Sequence, residues 1–249
     1  MDVTTASDLV RRVSIDQGDD TNSIDDELIA RLQRELDAAE ADPRCRIVML
    51  TSTPGVFSTG MNLVAAGSTG AVVDPGGPFF DLLSRFTRTP MIIVSVVDGK
   101  VAGGGVGLVA ASDLVIATPR STFALPEALW GLLPCCVLPF LIRRIGFQTA
   151  YRMTLTTLPL AGDEAASVGL ADEITDDAMA SVRRVMFRAG KVDKATLGDL
   201  KRYSSSLWEI TADTRRLAVA ELTHLMSSPR VRDRLVAFAE HRRYPWESQ

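Results

Sequence analysis

Between Met91 and Leu133 the chain reads MIIVSVVDGKVAGGGVGLVAASDLVIATPRSTFALPEALWGLL, and few folds can accommodate that stretch. Met91–Val97 is an apolar run of strand length. Asp98 and Gly99 predict a turn, and three consecutive glycines follow, Gly103, Gly104 and Gly105. Val106–Ser112 is apolar and made of small residues, which predicts a tightly buried helix or turn. Leu114–Ala117 predicts a second buried strand. One carboxylate, Glu127, then stands among apolar neighbours. Glycine lets a backbone approach a ligand because no Cβ intervenes. Such glycines beside a carboxylate in apolar surroundings suit a site that polarises a carbonyl.

The rest of the chain reads as support. Leu9–Ile15 predicts a first strand, and Gln17–Asn22 a turn. Ser23 is expected to cap the next helix, with Asp26 three residues on. From Ile24 to Ala41, Leu28, Ile29, Leu32 and Leu36 recur at helical spacing until Asp42-Pro43 stops them. Ile47–Ser52 predicts a short buried strand. Val64–Gly77, rich in Gly, Ala and Ser, predicts a loop, and Phe79–Arg88 a helix. Phe147–Leu158 and Ala161–Gly169 predict further helices, and Leu170–Ile174 a brief strand. From residue 177 on, Ala178–Arg188, Lys194–Ile210, Ala212–Met226 and Arg230–His241 are helical patterns. Repeated strand–strand–helix units predict an α/β spiral over residues 1–176, with a helical segment over 177–249 that packs on it or on another subunit.

Composition removes several classes. The net charge is −4, with both signs spread along 249 residues, so nucleic acid is not the expected partner. Cys45, Cys135 and Cys136 form neither a disulfide framework nor a metal-binding pattern. The two histidines, His224 and His241, sit too late for a histidine-centred triad. The first residues lack a cationic start and apolar core, and no apolar run approaches the ~20 residues that span a bilayer. A cytoplasmic protein with no membrane association is expected.

Each motif alone has a plain alternative. Glycine runs also serve turns and close helix packing. Glu127 after Pro126 also suits a helix start. Ser112-Asp113 reads as a cap, and Cys135 and Cys136 as pocket or core lining. Ser58 is outside any nucleophile elbow, and no lysine and hydroxyl follow the glycines as a phosphate loop requires. In order, however, FSTGMNL at Phe57–Leu63, the glycine triplet, ASDLVIA, FALPEALWGLLP and AGDEAASVGLADEI resemble the enoyl-CoA hydratase/isomerase (crotonase) superfamily over nearly the whole chain. RVRDRLVAFAEHRRYPW matches the end of that family.

The resemblance implies a crotonase-type spiral of ββα units with a C-terminal trimerisation segment, and hence a homotrimer or hexamer. It implies an acyl thioester on a phosphopantetheine arm, with no metal or other cofactor. Two backbone N–H groups, of Met61 and Gly104, would hold the oxyanion. Donors of that kind contribute roughly 3 kcal/mol each. Hydratases of the family place two glutamates beside the substrate; here one position is Glu127 and the other is Gly107. A single carboxylate suits elimination or proton shuttling. The stretch from KVAGGG to LTTLPL, with its paired cysteines, is similar to the dehydratases of polyketide β-branching cassettes. Those convert 3-hydroxy-3-methylglutaryl-acyl carrier protein to 3-methylglutaconyl-acyl carrier protein. Asp19 and Asp20 stand where the family often carries a basic residue, which disfavours free CoA and favours a carrier protein.

On this reading Glu127 is the acid and base, Met61 and Gly104 the oxyanion donors, and Trp130 and Leu133 frame the site. Gly103 and Gly105 flank the substrate. Lys100 or Asn62 would meet the distal carboxylate. Arg143, Arg144, Lys201, Arg202, Arg242 and Arg243 are candidates to meet an acidic carrier protein. The alternatives are a Δ3-Δ2-enoyl-CoA isomerase using the same glutamate, and a non-catalytic scaffold that docks carrier proteins.

Overall fold

The computed structural model describes residues 8–62, 76–208 and 210–248. Two sheets grow in parallel as the chain advances. The larger holds β1 (Val10–Ser14), β3 (Ile47–Thr51), β6 (Ile92–Val97), β8 (Leu114–Ala117) and β11 (Glu173–Ile174), side by side in that order and all parallel. The smaller has the order β10 (Leu160–Ala161), β9 (Thr122–Ala124), β7 (Gly99–Ala102) and β4 (Gly55–Ser58). Only its β10–β9 pair is antiparallel. A third, parallel pair joins β2 (Ser23–Ile24) to β5 (Gly60–Met61).

Three successive turns of chain each give one strand to each sheet: β3 and β4, β6 and β7, β8 and β9. That is the spiral the sequence predicts. Strands buried on both faces read as continuous apolar runs, which is why Ile47–Leu50 and Ile93–Val97 are legible. The smaller sheet is harder to see. Its strands are short, and Gly99, expected in a turn, is instead the first residue of β7 at φ +99°. A Cβ there would collide with the Gly55 backbone, so glycine is required where the two strands begin.

Helix α1 (Asp26–Ala41) buries Leu28, Ile29, Leu32, Leu36 and Ala39 along one face. Its N-cap is Asp25, whose carboxylate accepts from the Leu28 N–H at 2.8 Å. Ser23, expected in that role, pairs with Gly60 in β2–β5. Helix α2 (Gly77–Phe86) packs Phe80, Leu82, Leu83 and Phe86 into the same core. The Val64–Gly77 segment lies outside the described residues except for its last two, Gly76 and Gly77, which start that helix. Helix α3 (Gly104–Ala111), with sequence GGVGLVAA, is buried almost throughout. A Cβ at Gly105 would lie 2.9 Å from Ser58 Cβ, so small residues let α3 run against β4.

The remaining helices are α4 (Glu127–Trp130), α5 (Leu138–Ile145), α6 (Phe147–Thr156), α7 (Gly162–Ser167), α8 (Ala178–Ala189), α9 (Lys194–Leu207), α10 (Ala212–Ser227) and α11 (Pro229–His241). Helix α8 covers the outer face of the large sheet, with Val182 and Ala189 against Ile47, Met49, Val94 and Ile116. Leu222 of α10 packs on the main core, and Val231 and Leu235 of α11 pack on Trp130. No helix among the described residues is long and apolar enough to cross a membrane.

Candidate active site

The glycine triplet sits at the N-terminal end of α3. Gly103 precedes the helix at φ +53° and ψ −124°, a conformation L side chains rarely adopt, and its N–H donates to Ala124 O at 3.0 Å. Gly104 is the first helical residue, so its N–H has no acceptor within the helix. Gly60, at φ +84°, faces it so closely that a Cβ would lie 2.8 Å from Gly104 N. The strand carrying Met61 therefore lies directly against the start of α3.

That alignment rests on residues whose role their sequence context does not disclose. Asn22 is fully buried at φ +43°. Its Nδ2 donates to Val56 O at 2.8 Å and to Thr53 Oγ1 at 3.2 Å, tying the approach to β2 onto the approach to β4. Thr59 N donates to Thr21 O at 2.9 Å on the same loop. Ser58 Oγ accepts from Gly60 N at 3.2 Å.

These elements wall a cavity of about 440 Å³. Met61, Asn62, Gly103, Gly104 and Glu127 line it, as do Phe79, Trp130 and Leu133. Trp130 is buried and Leu133 is 40% exposed at the mouth. Cys135 and Cys136 both line the wall, as expected. Burial pushes the Cys135 thiol up to about 11, so it is uncharged near neutrality. Most of the surface is hydrocarbon. The charged lining residues described are Asp25, Asp26 and Glu127, with no cation among them.

Glu127 opens the short helix α4, and Gly131, left-handed at φ +82°, closes it. Glu127 starts a helix, and it also lines the cavity. A Cβ at Gly103 would lie 3.3 Å from Glu127 Oε1. Oε2 is buried with no hydrogen-bond partner among the described residues. Burial without a partner raises the carboxyl to about 7, opposed weakly by its own backbone N–H. A carboxyl poised there can take and return a proton near neutrality.

At Gly107, where the resemblance implies a second acid in hydratases, hydrocarbon crowds the backbone. A Cβ at Gly107 would meet Val137 Cγ2 at 3.1 Å, Leu83 Cδ1 at 3.2 Å and Phe79 Cζ at 3.2 Å. All three of these neighbours are apolar carbons, so a side chain there would enter among hydrocarbon.

Other expected residues fall elsewhere. Lys100 is exposed on β7, between inward-facing Gly99 and Val101, and does not line the cavity. Gly105 lies behind the cavity against Ser58. Arg144 donates to Leu170 O, Ser112 O and Asp172, which makes it a structural cross-link. Lys201 is buried with Asp113 and Phe86 O. Arg143 is largely desolvated, which lowers its pKa. Arg202 pairs with Asp199 on its own helix. None of these four offers a free basic face. Ser112 caps α3 as expected, its hydroxyl donating to Leu108 O at 2.8 Å. Among the described residues no group of His, Cys, Asp and Glu is placed to hold a metal ion.

A family model described as enoyl-CoA hydratase/isomerase matches residues 5–249. The chain belongs to the enoyl-CoA hydratase/isomerase family. It is an enzyme of hydratase–dehydratase type, a lyase. This family member is 33% identical over 234 residues to the "Bacillaene synthase dehydratase PksH" of Bacillus subtilis, covering 92% of this chain and 89% of that protein. The crystal structure of a putative polyketide biosynthesis enoyl-CoA hydratase (pksH) from Bacillus subtilis superposes with a TM-score of 0.90 at 30% identity, over 95% of each chain. A putative enoyl-CoA hydratase from Mycobacterium avium paratuberculosis superposes at 0.83 with 28% identity, over 95% of this chain and 94% of that one. The crotonase fold is thereby shown.

Proposed function

We propose that the enzyme dehydrates a 3-hydroxy-3-methylglutaryl group, carried on the phosphopantetheine of an acyl carrier protein, to 3-methylglutaconyl. The observation that carries this reading is the pairing of one cavity carboxylate, Glu127, with a glycine, Gly107, crowded by apolar side chains. The likeness to a polyketide dehydratase supports it.

The steps use one carboxylate. The thioester oxygen accepts from the N–H groups of Met61 and Gly104. Ionised Glu127 removes a proton from Cα, and the C–H electrons move onto the oxygen as an enolate. The protonated Glu127 then delivers that proton to the β-hydroxyl. The C–O bond breaks, the enolate electrons form the Cα=Cβ bond, and water leaves. Glu127 is ionised again, so the balance needs no redox cofactor. Fixed N–H donors in a dry cavity favour the enolate over the thioester. The Asn62 carboxamide is the polar lining group proposed for the distal carboxylate. A homotrimer or hexamer is part of this reading, and sedimentation velocity tests it.

A Δ3-Δ2 isomerase is the second reading, because one carboxylate also suffices to move a proton between two carbons. Mass spectrometry of a loaded carrier protein, before and after incubation, separates the two. Loss of one water from the hydroxymethylglutaryl carrier is the expected result. Turnover of a 3-enoyl thioester with no water lost from the carrier would overturn the proposal.

A further inference from the structure

Several arginines in the body of the protein are held in ion pairs. Arg11 pairs with Glu35, Arg85 with Asp37 and Glu40, Arg120 with Asp98, Arg184 with Glu173 and Arg215 with Asp81. The C-terminal segment differs. Arg230, Arg232 and Arg234 on α11, and Arg242 and Arg243 just after it, form no ion pair with described residues. The carboxylates of the same segment are Asp233, Glu240 and Glu247. Glu240 faces His241 at 3.6 Å, and Glu247 accepts from Tyr244 N at 2.8 Å. Five arginines against three carboxylates make this segment basic in a chain of net charge −4.

Two anchors hold the segment at the cavity mouth. A Cβ at Gly131 would lie 2.9 Å from Arg234 Nη1 and 3.6 Å from Arg230 Nε. Gly131 stands between Trp130 and Leu132, both cavity-lining residues. Like charges four residues apart on a helix repel, so their convergence there is unfavourable without an anion. Past α11 the chain reverses at Arg242, φ +54°. Tyr244 and Trp246 then stack at 4.8 Å, and both rings come within 6.2 Å of Trp130. That stack leaves Tyr244 38% and Trp246 47% exposed.

We propose that this arginine-bearing segment, with the exposed Tyr244–Trp246 stack, is the docking surface for an acidic carrier protein that presents the thioester to the cavity. The inference rests on the carrier-bound substrate proposed above. A lone phosphate would engage only the pair that converges at Gly131, whereas the arginines continue along α11 and past it, about 16 Å from Arg230 to the helix end at 1.5 Å per residue. A surface of that length with aromatic faces matches an acidic protein.

The test compares one acyl group on three carriers: the acyl carrier protein, pantetheine and CoA. Arg230→Glu/Arg234→Glu and Arg242→Glu/Arg243→Glu should each lower kcat/KM for the carrier-protein substrate by about tenfold or more. The pantetheine thioester should stay within about twofold, and added salt should weaken the wild-type reaction with carrier protein more than that of the variants. Equal loss on pantetheine, or no loss on the carrier protein, would overturn the inference. So would a loss on CoA matching that on the carrier protein, because the arginines would then read nucleotide phosphates. If the wild type dehydrates none of the three, the proposed reaction fails by itself. Fluorescence anisotropy of labelled carrier protein against wild type and variants still decides the surface, with weaker variant binding expected and equal binding contradicting it.

Discussion

Two sides of one cavity present opposite solutions, a carboxylate on the lining and a glycine just behind it. On one, Glu127 keeps a buried carboxylate with an oxygen that no described residue satisfies. On the other, Gly107 lies behind the lining residues Phe79 and Val137, which together with Leu83 would crowd a Cβ there. The contrast places the carboxylate on the cavity lining and apolar packing around the glycine. Burial then does double duty. It surrounds Gly107 with apolar side chains, and it raises Glu127 to about 7, where a single group can act as base and then as acid.

The comparison can be broken at either wall. The largest effect belongs to Glu127→Gln, which should lower dehydration by about 10³-fold or more, measured as water lost from the loaded carrier. The same variant should be more stable than wild type above pH 7. The folded carboxyl sits near 7 and the unfolded one near 4.5, so the folded state holds the extra proton between those values. Stability from this group is intact below about pH 4.5 and falls as pH rises to about 7, by up to about 3 kcal/mol. Urea melts of wild type and variant at pH 5 and pH 8 read that divergence.

Next comes Gly60→Ala. Its Cβ would press on Gly104 N in a backbone conformation that favours glycine. Steady-state assays should show kcat/KM about 10²-fold lower, with the pH dependence retained. Gly107→Glu sharpens the other wall. It should lose about 3 kcal/mol of stability in denaturant melts, because an unpaired carboxylate would be forced among hydrocarbon, and it should gain no hydration of an unbranched enoyl thioester. Lys100→Ala should be within about twofold of wild type in kcat/KM, since the side chain is exposed on β7 away from the cavity.

The sequence made much of this legible, and the reason differs by element. Buried strands such as Ile47–Thr51 and amphipathic helices such as Asp26–Ala41 announce themselves by uninterrupted or 3.6-period apolar residues. The glycine triplet and Glu127 were visible because their chemistry is local. What failed was direction and distance. Lys100 precedes the glycines by three positions, yet strand alternation turns it outward. Arg144 and Lys201 looked like surface charge, because their partners Asp172 and Asp113 lie far away in sequence. Ser23 reads as the cap from sequence, but it pairs with Gly60 in β2–β5, and Asp25 caps the helix instead. The packing of Phe79 over Gly107 joins two helices and leaves no periodic trace.

The pH dependence of kcat/KM tests the one-carboxylate account most directly. Between pH 5 and 9 a carrier-bound hydroxymethylglutaryl substrate should give a single rising limb. The rate should climb about tenfold per pH unit below the Glu127 transition near 7 and stay level above it. A bell-shaped profile, with a second essential group that must remain protonated, would show another acid in the reaction and contradict the account.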